Sequence, residues 1–580
     1  MDNRLATVEW HLIMRALRIC LVATFAAWLV SSQALGADGS PRYDRRWVYA
    51  SHNLLVDKHV DELIALIERA GKNGYNGLML ADYKFNILDR MTPHYFQNVA
   101  RVRQAASRAK VEIIPAVFPI GYSSGLLAHD PNLAEGLPVE DAPFVVKGRE
   151  AVLVPGEATI KNGDLEETKG DRFTGFSSQD EPGTLSFADT EVVHHGKVSC
   201  RMQDVAGKNS PNNRRLIQRV KVRPHACYRF SCWVKTRELK PADGFRIMAI
   251  GAGKGGRQLT YFEGGVAPTQ DWKRVEVVFN SLGESGVNLY AGVWGGESGT
   301  LWLDELALEE LSLVNVLRRE GCPLVVASAD GRTVYEEGKD FQPVSDPKLG
   351  QDPYAGEYSV DHPGAALRLT DHSRIKDGQR LRVSWYHPVL THGSQVMCCL
   401  SEPKVYDLLR DQARRVNELF HPTTFFMSHD EIRVGNWCRA CQARKQTPGA
   451  MLADNARRCV AIIKEINPEA RVVVWSDMFD PNHNAVDKYY LVNGTLAGSW
   501  EGLPPDVIIA NWNGGKAAAS LKWFADRGHS QIIAGYYDDA LDNFTRWDKA
   551  ARGVPKVIGF MYTTWQHKYE HLEAYGKALR

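Results

Sequence analysis

Apolar positions in the first 120 residues follow two alternating rhythms. Short β-branched and aromatic runs at Arg46–Asn53, Asn76–Asp82 and Val111–Ile120 have the length and composition of buried strands. Between them Val60, Leu63, Ile64 and Ile67 recur at helical spacing, and Tyr95–Ala109 has helical character. From about residue 400 the same alternation returns. Val405, Leu408, Leu409, Val416 and Leu419 share one helix face, and a further helix is expected around Leu452–Ile466. Strands are expected at Thr423–Ser428, Arg471–Trp475, Asp506–Asn511, Gln531–Tyr536 and Val557–Tyr562. Three strands before residue 150 and five after residue 395, alternating with helices, make the eight of a (β/α)8 TIM barrel in the α/β class.

The pattern in between is different. Residues 155–311 contain short alternating runs such as Cys227–Val234, Trp272–Phe279 and Thr300–Leu308, broken by Gly, Asn and Asp, as in an all-β sandwich. Residues 312–392 read as a second small β region, with strand candidates at Thr333–Tyr335 and Arg380–Trp385. The expected organisation is therefore a barrel interrupted after its third strand, with parts at 40–150 and 395–580. At the N-terminus, Arg15 and Arg18 precede an apolar run, Ile19–Val30, and then the small residues Ser31, Ser32, Ala34, Gly36 and Ala37. That order is a secretory signal spanning 1–36, and the run is short of the ~20 residues of a membrane span. A secreted or periplasmic location is expected, without stable membrane insertion.

Composition narrows the partners. Seventy Lys and Arg offset 69 Asp and Glu, so no basic field exists to attract nucleic acid. Nine of the ten cysteines lie beyond the leader, an odd number that leaves at least one unpaired within the chain. Cys438-x-x-Cys441 lacks the second spaced pair of a zinc ribbon; in an exported chain a local disulfide, or a link to Cys459, is expected instead. No metal and no cofactor are expected, and no P-loop or Gly-x-Ser-x-Gly elbow is present.

In a barrel of this kind, functional groups gather at the C-terminal strand ends. Those ends carry His52, Asp82, the pair Asp430–Glu431, Trp475 with Asp477, Trp512, Tyr536 with Tyr537, Asp538 and Asp539, and Trp565 with His567. Aromatics that stack on sugar faces and carboxylates that grip hydroxyls and move protons suit a glycan pocket. Adjacent carboxylates at a bending strand end can both reach one cleft. Mutual repulsion and burial then separate their proton affinities, as glycosidic cleavage requires.

The stretch Phe425-Phe426-Met427-Ser428-His429-Asp430-Glu431 resembles the His-x-Gly-Gly-Asp-Glu strand of glycoside hydrolase family 20, the β-N-acetylhexosaminidases. Trp475-Ser476-Asp477, Trp512, Tyr536-Tyr537-Asp538 and Trp565-Gln566-His567 follow in that family's order. The resemblance implies substrate-assisted retaining cleavage of terminal N-acetylhexosamine. Glu431 would be the proton carrier, Asp430 would hold the 2-acetamido group and Tyr536 would donate to its carbonyl. Trp475, Trp512 and Trp565 would wall the pocket, with Asp477, Asp538, His567, His52 and Asp82 as further substrate contacts. Ser428-His429 replaces the family's two glycines, His567 stands where it has Glu, and no Arg follows the first strand. The segment 155–311, opening on Asn162-Gly163-Asp164 and closing near Trp302-Leu303-Asp304-Glu305, resembles a carbohydrate-binding module of the family 4/9 type. Two other readings stay open: a glycosidase of different sugar preference that pairs Glu431 with Asp477 or Asp538, and an inactive glycan-binding barrel whose pocket is blocked by His429 or His567.

Overall fold

The computed structural model describes residues 43–203, 213–253, 255–263, 265–536, 538 and 541–579. The expected leader 1–36 lies outside these residues, as do Tyr537 and Asp539. Eight parallel strands close into a barrel in chain order. They are β1 (Arg45–Ser51), β2 (Gly77–Ala81), β3 (Glu112–Val117), β4 (Thr424–Met427), β5 (Arg471–Trp475), β6 (Ile508–Asn511), β7 (Gln531–Ala534) and β8 (Val557–Tyr562). Ring closure is the pairing of Trp47 with Met561 between β1 and β8.

Successive strand residues face opposite ways, and this alternation sorts the core. Trp47, Tyr49, Met79, Ile114, Phe426, Val473, Trp475, Ile508, Ala510, Ile532, Ala534 and Met561 fill the interior. Their neighbours, including Val48, Leu78, Phe425, Met427, Val474 and Ile533, meet the helices outside. The helices follow the expected apolar stripes. α1 (Asp57–Lys72) buries Val60, Leu63, Leu66, Ile67 and Ala70. α2 (Pro93–Ala109) starts with Pro in its first turn and ends on the left-handed Lys110. α3 (Pro403–Phe420) buries Val405, Leu409 and Val416, and α4 (Pro448–Ile466) opens with Thr447 accepting from the Ala450 N–H. Among the described residues, no helix is long and apolar enough to cross a membrane.

Two five-stranded antiparallel sheets face each other as the sandwich. One is built around Cys227–Lys240 and Ser298–Glu310, the other around Phe245–Gly251, Gly286–Val293 and Arg214–Lys221. The small β region is larger than expected. Strands Leu137–Lys147 and Glu150–Leu153 join Val325–Ser328, Val334–Tyr335, Leu367–Arg368 and Arg380–His387 in one six-stranded sheet. The assignment of residues up to 150 to the barrel is therefore corrected: 137–153 belong to this sheet. Pro138 and Pro143 interrupt the strand pattern there, yet they sit opposite Tyr386 and Arg382 in the ladder. The insertions are nested, with the sandwich inside the six-stranded sheet and that sheet inside the barrel.

The cysteine expectation is also corrected. Cys438 and Cys441 are free thiols facing Cys399, and Cys459 on α4 neighbours Cys398.

Candidate active site

The C-terminal strand ends open into a cavity of about 590 Å³. Its walls continue the inward face of the strands: Tyr49 and Ser51 from β1, Ala81 from β2, Ser428 and Asp430 after β4, Trp475 from β5 and Trp512 after β6. Trp565, 42% exposed, stands at the rim, with ring centroids 4.7 Å from Tyr49 and 5.9 Å from Trp475.

Alternation beyond β4 sends Ser428 and Asp430 inward and His429 outward. His429 is buried and lies 3.0 Å from Asn455 Oδ1 on α4. Glu431 breaks the alternation, because its φ of 50° is left-handed and rare for a side chain of its kind. That turn brings Glu431 into the cavity beside Asp430. The close approach of the β3 loop holds it there. A Cβ on Gly121 would lie 1.9 Å from the Asp430 carbonyl oxygen. Gly121→Ala should therefore push the acidic pair out of register. A loss of about 1–3 kcal/mol of stability, read by denaturant unfolding, is expected together with a fall in hydrolysis rate.

The carboxylates have distinct surroundings. Glu431 Oε1 is ion-paired with Arg433 at 2.9 Å, and Oε2 accepts the Tyr122 phenol. Gln395 ties this corner together. Its amide donates to the carbonyls of Gly121 (2.8 Å) and Glu431 (3.0 Å), and its oxygen accepts from Arg433 at 2.6 Å. Asp430 feels the same Arg433 charge only weakly. Burial first, then the charges of Asp477 and Glu431, push its pKa up to about 8.

Several expected substrate contacts are engaged by the protein's own donors. Asp477 is buried, and its oxygens accept from the Glu431 N–H (2.8 Å), Asn484 (2.9 Å) and the Trp512 indole (3.3 Å). Burial raises its pKa to about 7. It holds the acidic turn and Trp512 from behind, outside the cavity wall. Asp82 lines the cavity but accepts from the Leu54 and Lys84 N–H groups and the Tyr95 phenol, so it fixes the ends of β1 and β2. Asp538 accepts from the Thr564 hydroxyl and from the Trp565 N–H at 2.7 Å, which anchors the rim tryptophan. Tyr536 lies outside the cavity. Its ring stacks on Tyr562 at 4.1 Å and meets Tyr575 edge-on, in the layer between strands and helices. The chain leaves its alternation at Gly535, just past the end of β7, and Tyr536 turns outward with the apolar face.

His52 and His567 also leave the main cavity. Their rings lie 5.1 Å apart in an adjoining cavity of about 630 Å³ that shares Ser51, Ala81, Asp82 and Tyr83 as its wall. Burial, with His567 and His59 nearby, lowers the His52 pKa to about 4.

Four site residues escaped the sequence reading: Tyr122, Arg433, His392 and Gln395. Tyr122 ends the β3 loop, where the insertion begins, and Arg433 is two residues past the acidic pair, so both were open to the rule of strand ends. His392 and Gln395 come from the segment that re-enters the barrel, and no periodic signal marks them.

The chain is similar in part to known proteins. The model of the glycosyl hydrolase family 20 catalytic domain matches residues 359–577, from the last strands of the six-stranded sheet through β4–β8. Among solved structures, an N-acetyl-β-hexosaminidase of Streptomyces plicatus is 10% identical with a TM-score of 0.35, covering 93% of this chain and 64% of its own. A chitobiase of Flavobacterium johnsoniae is 8% identical with a TM-score of 0.34, covering 93% and 48%. A family 4 carbohydrate-binding module is 12% identical with a TM-score of 0.20, covering 26% of this chain and 99% of its own. No curated protein matches the chain. The closed barrel, the acidic pair in its mouth and the matched catalytic domain define a glycoside hydrolase. The family 20 model matches the part of the barrel that carries β4–β8, and an all-β sandwich interrupts the barrel after β3.

Proposed function

We propose that the protein is an exported β-N-acetylhexosaminidase that removes terminal N-acetylhexosamine from glycans with retention of configuration. The observation that carries this reading is the left-handed Glu431, which turns its carboxylate in beside Asp430 in one aromatic-walled cavity of the barrel that the family 20 model matches in part. In this mechanism Glu431 protonates the leaving oxygen and later takes a proton from water. Asp430 orients the 2-acetamido group and offsets the positive charge that grows on its nitrogen as its carbonyl attacks the anomeric carbon. No enzyme carboxylate forms the covalent bond. Tyr536 points away, so the donor to the acetamide carbonyl falls to Tyr49, whose side chain lines the same cavity near Asp430. Trp475, Trp512 and Trp565 supply the stacking faces.

A second reading has one observation in its favour. Asp430 holds its proton to about pH 8 while Glu431 is ion-paired with Arg433, so Asp430 could be the proton donor of a glycosidase with another sugar preference. The inactive reading loses its premise, since neither His429 nor His567 fills the main cavity. Hydrolysis of aryl N-acetyl-glucosaminide and N-acetyl-galactosaminide, beside the plain hexosides, separates the two active readings. A preference of roughly 100-fold or more for the acetamido sugars is expected, because only they carry the internal nucleophile. Cleavage confined to sugars without the acetamide would sink the role given to Asp430.

A further inference from the structure

Four cysteines from three stretches gather under the loop that follows the acidic pair. Cys438 and Cys441 flank the start of the short helix Arg439–Ala443, Cys399 precedes α3, and Cys322 closes a turn onto the Arg319 carbonyl at 2.9 Å. The Cys399 sulfur lies 3.5 Å from those of both Cys438 and Cys441. The Cys322 thiol neighbours Cys438 from beyond this trio. All four residues are buried. Glu135 adjoins them: Oε1 accepts from the N–H groups of Trp437 (2.7 Å) and Cys438 (3.1 Å), and Oε2 lies 3.4 Å from the Cys441 sulfur. One ligand atom from each of Glu135, Cys399, Cys438 and Cys441 fits within 4.8 Å of the others.

Thiols are weak hydrogen-bond partners, and hydrogen bonding alone gives a core little reason to gather four of them. Sulfurs 3.5 Å apart are far beyond the ~2.05 Å of a disulfide. They are close to the ~3.8 Å edge of a tetrahedron of sulfurs each ~2.3 Å from zinc. We propose that Cys322, Cys399, Cys438 and Cys441 bind one Zn²⁺ as a closed structural site, against the expectation from sequence that the chain holds no metal. Binding exchanges the thiol protons for the ion and needs no oxidant or reductant. The Arg319 guanidinium stands beside Cys322, Cys399 and Cys438 and offsets the excess negative charge of four thiolates on one divalent ion. Glu135 lies within reach of the site through Oε2, but two backbone N–H groups hold its Oε1 and a fourth thiol is at hand in Cys322, so it is assigned the backing place. The site ties the end of the inserted region, the re-entry segment and the loop carrying Glu431 and Arg433 into one knot. The spacing signal was incomplete in sequence because Cys322 and Cys399 arrive singly, from chain 77 residues apart.

Metal analysis of the full chain purified without added metal tests the assignment. One zinc per chain is expected, with four sulfurs at ~2.3 Å in the zinc X-ray absorption spectrum. Cys438→Ser and Cys322→Ser should lose the ion, whereas Glu135→Gln and Cys459→Ser should keep it. The absorption spectrum needs no variant, so misfolding of the serine variants would not leave the ligand set undecided. A metal-free protein with these cysteines in disulfides by mass spectrometry would overturn the proposal. So would stoichiometric iron in place of zinc, or a shell of three sulfurs and an oxygen with metal lost in Glu135→Gln.

Discussion

Replacing Glu431 with Gln is expected to lower kcat/KM for an aryl N-acetyl-glucosaminide by about 10²–10⁴-fold, the range of a positioned proton carrier. Gln keeps the size of the side chain and can still accept from Tyr122, but it cannot give up a proton to a leaving oxygen. The loss should shrink for substrates whose leaving group needs little protonation, because only the proton transfer has been removed. Arg433 is buried and would lose its ion-pair partner, so the variant should also melt at a lower temperature. That cost is common to all substrates, whereas the dependence on leaving group is specific to a proton carrier. Retention of the wild-type rate by Glu431→Gln would sink the mechanism.

The barrel was legible because parallel strands buried on both faces read as short apolar runs, and the helices between them carry amphipathic stripes. Periodicity could place the pair at the end of β4 and send Asp430 inward, but the left-handed turn that brings Glu431 in beside it leaves no periodic signal. It could not separate residues that touch a substrate from residues that hold those residues in place. Asp477, Asp82 and Asp538 all sit at strand ends, as expected. What makes them supports is the N–H and O–H groups that converge on them from β1, the Glu431 turn and the Trp565 turn, and those partners are distant in sequence. Tyr536 failed for a related reason: past the end of β7 the chain departs from strand geometry at Gly535, and the parity rule ends with the strand. The six-stranded sheet was only half visible because its strands come from both sides of the sandwich insertion, and no local pattern links residues 137–153 with 380–387.

The sharpest consequence of the site's electrostatics concerns Asp430. Burial and the charges of Asp477 and Glu431 hold its proton to about pH 8 in the free protein. If Asp430 works as an anion beside the acetamide, log kcat/KM should rise with pH and level off near 8, because only the deprotonated fraction is competent. If it is the proton donor, the rate should instead fall as pH passes 8. Asp430→Asn should cost roughly 10²–10³-fold in kcat by removing the charge that meets the developing cation, and the limb near pH 8 should disappear with it. Stability gives a second readout with a definite sign. The folded pKa lies above the unfolded value near 3.8, so the folded chain keeps a proton that the unfolded chain has already released. The associated stability is fully present below pH ~4 and is lost progressively as pH rises through about 8. Asparagine is neutral throughout, so the melting temperature of Asp430→Asn should gain on the wild type between pH 5 and pH 9. A gap between the two proteins that stays constant over that window would mean that Asp430 titrates as an ordinary solvated carboxylate, and the buried, charge-crowded site described for it would be wrong.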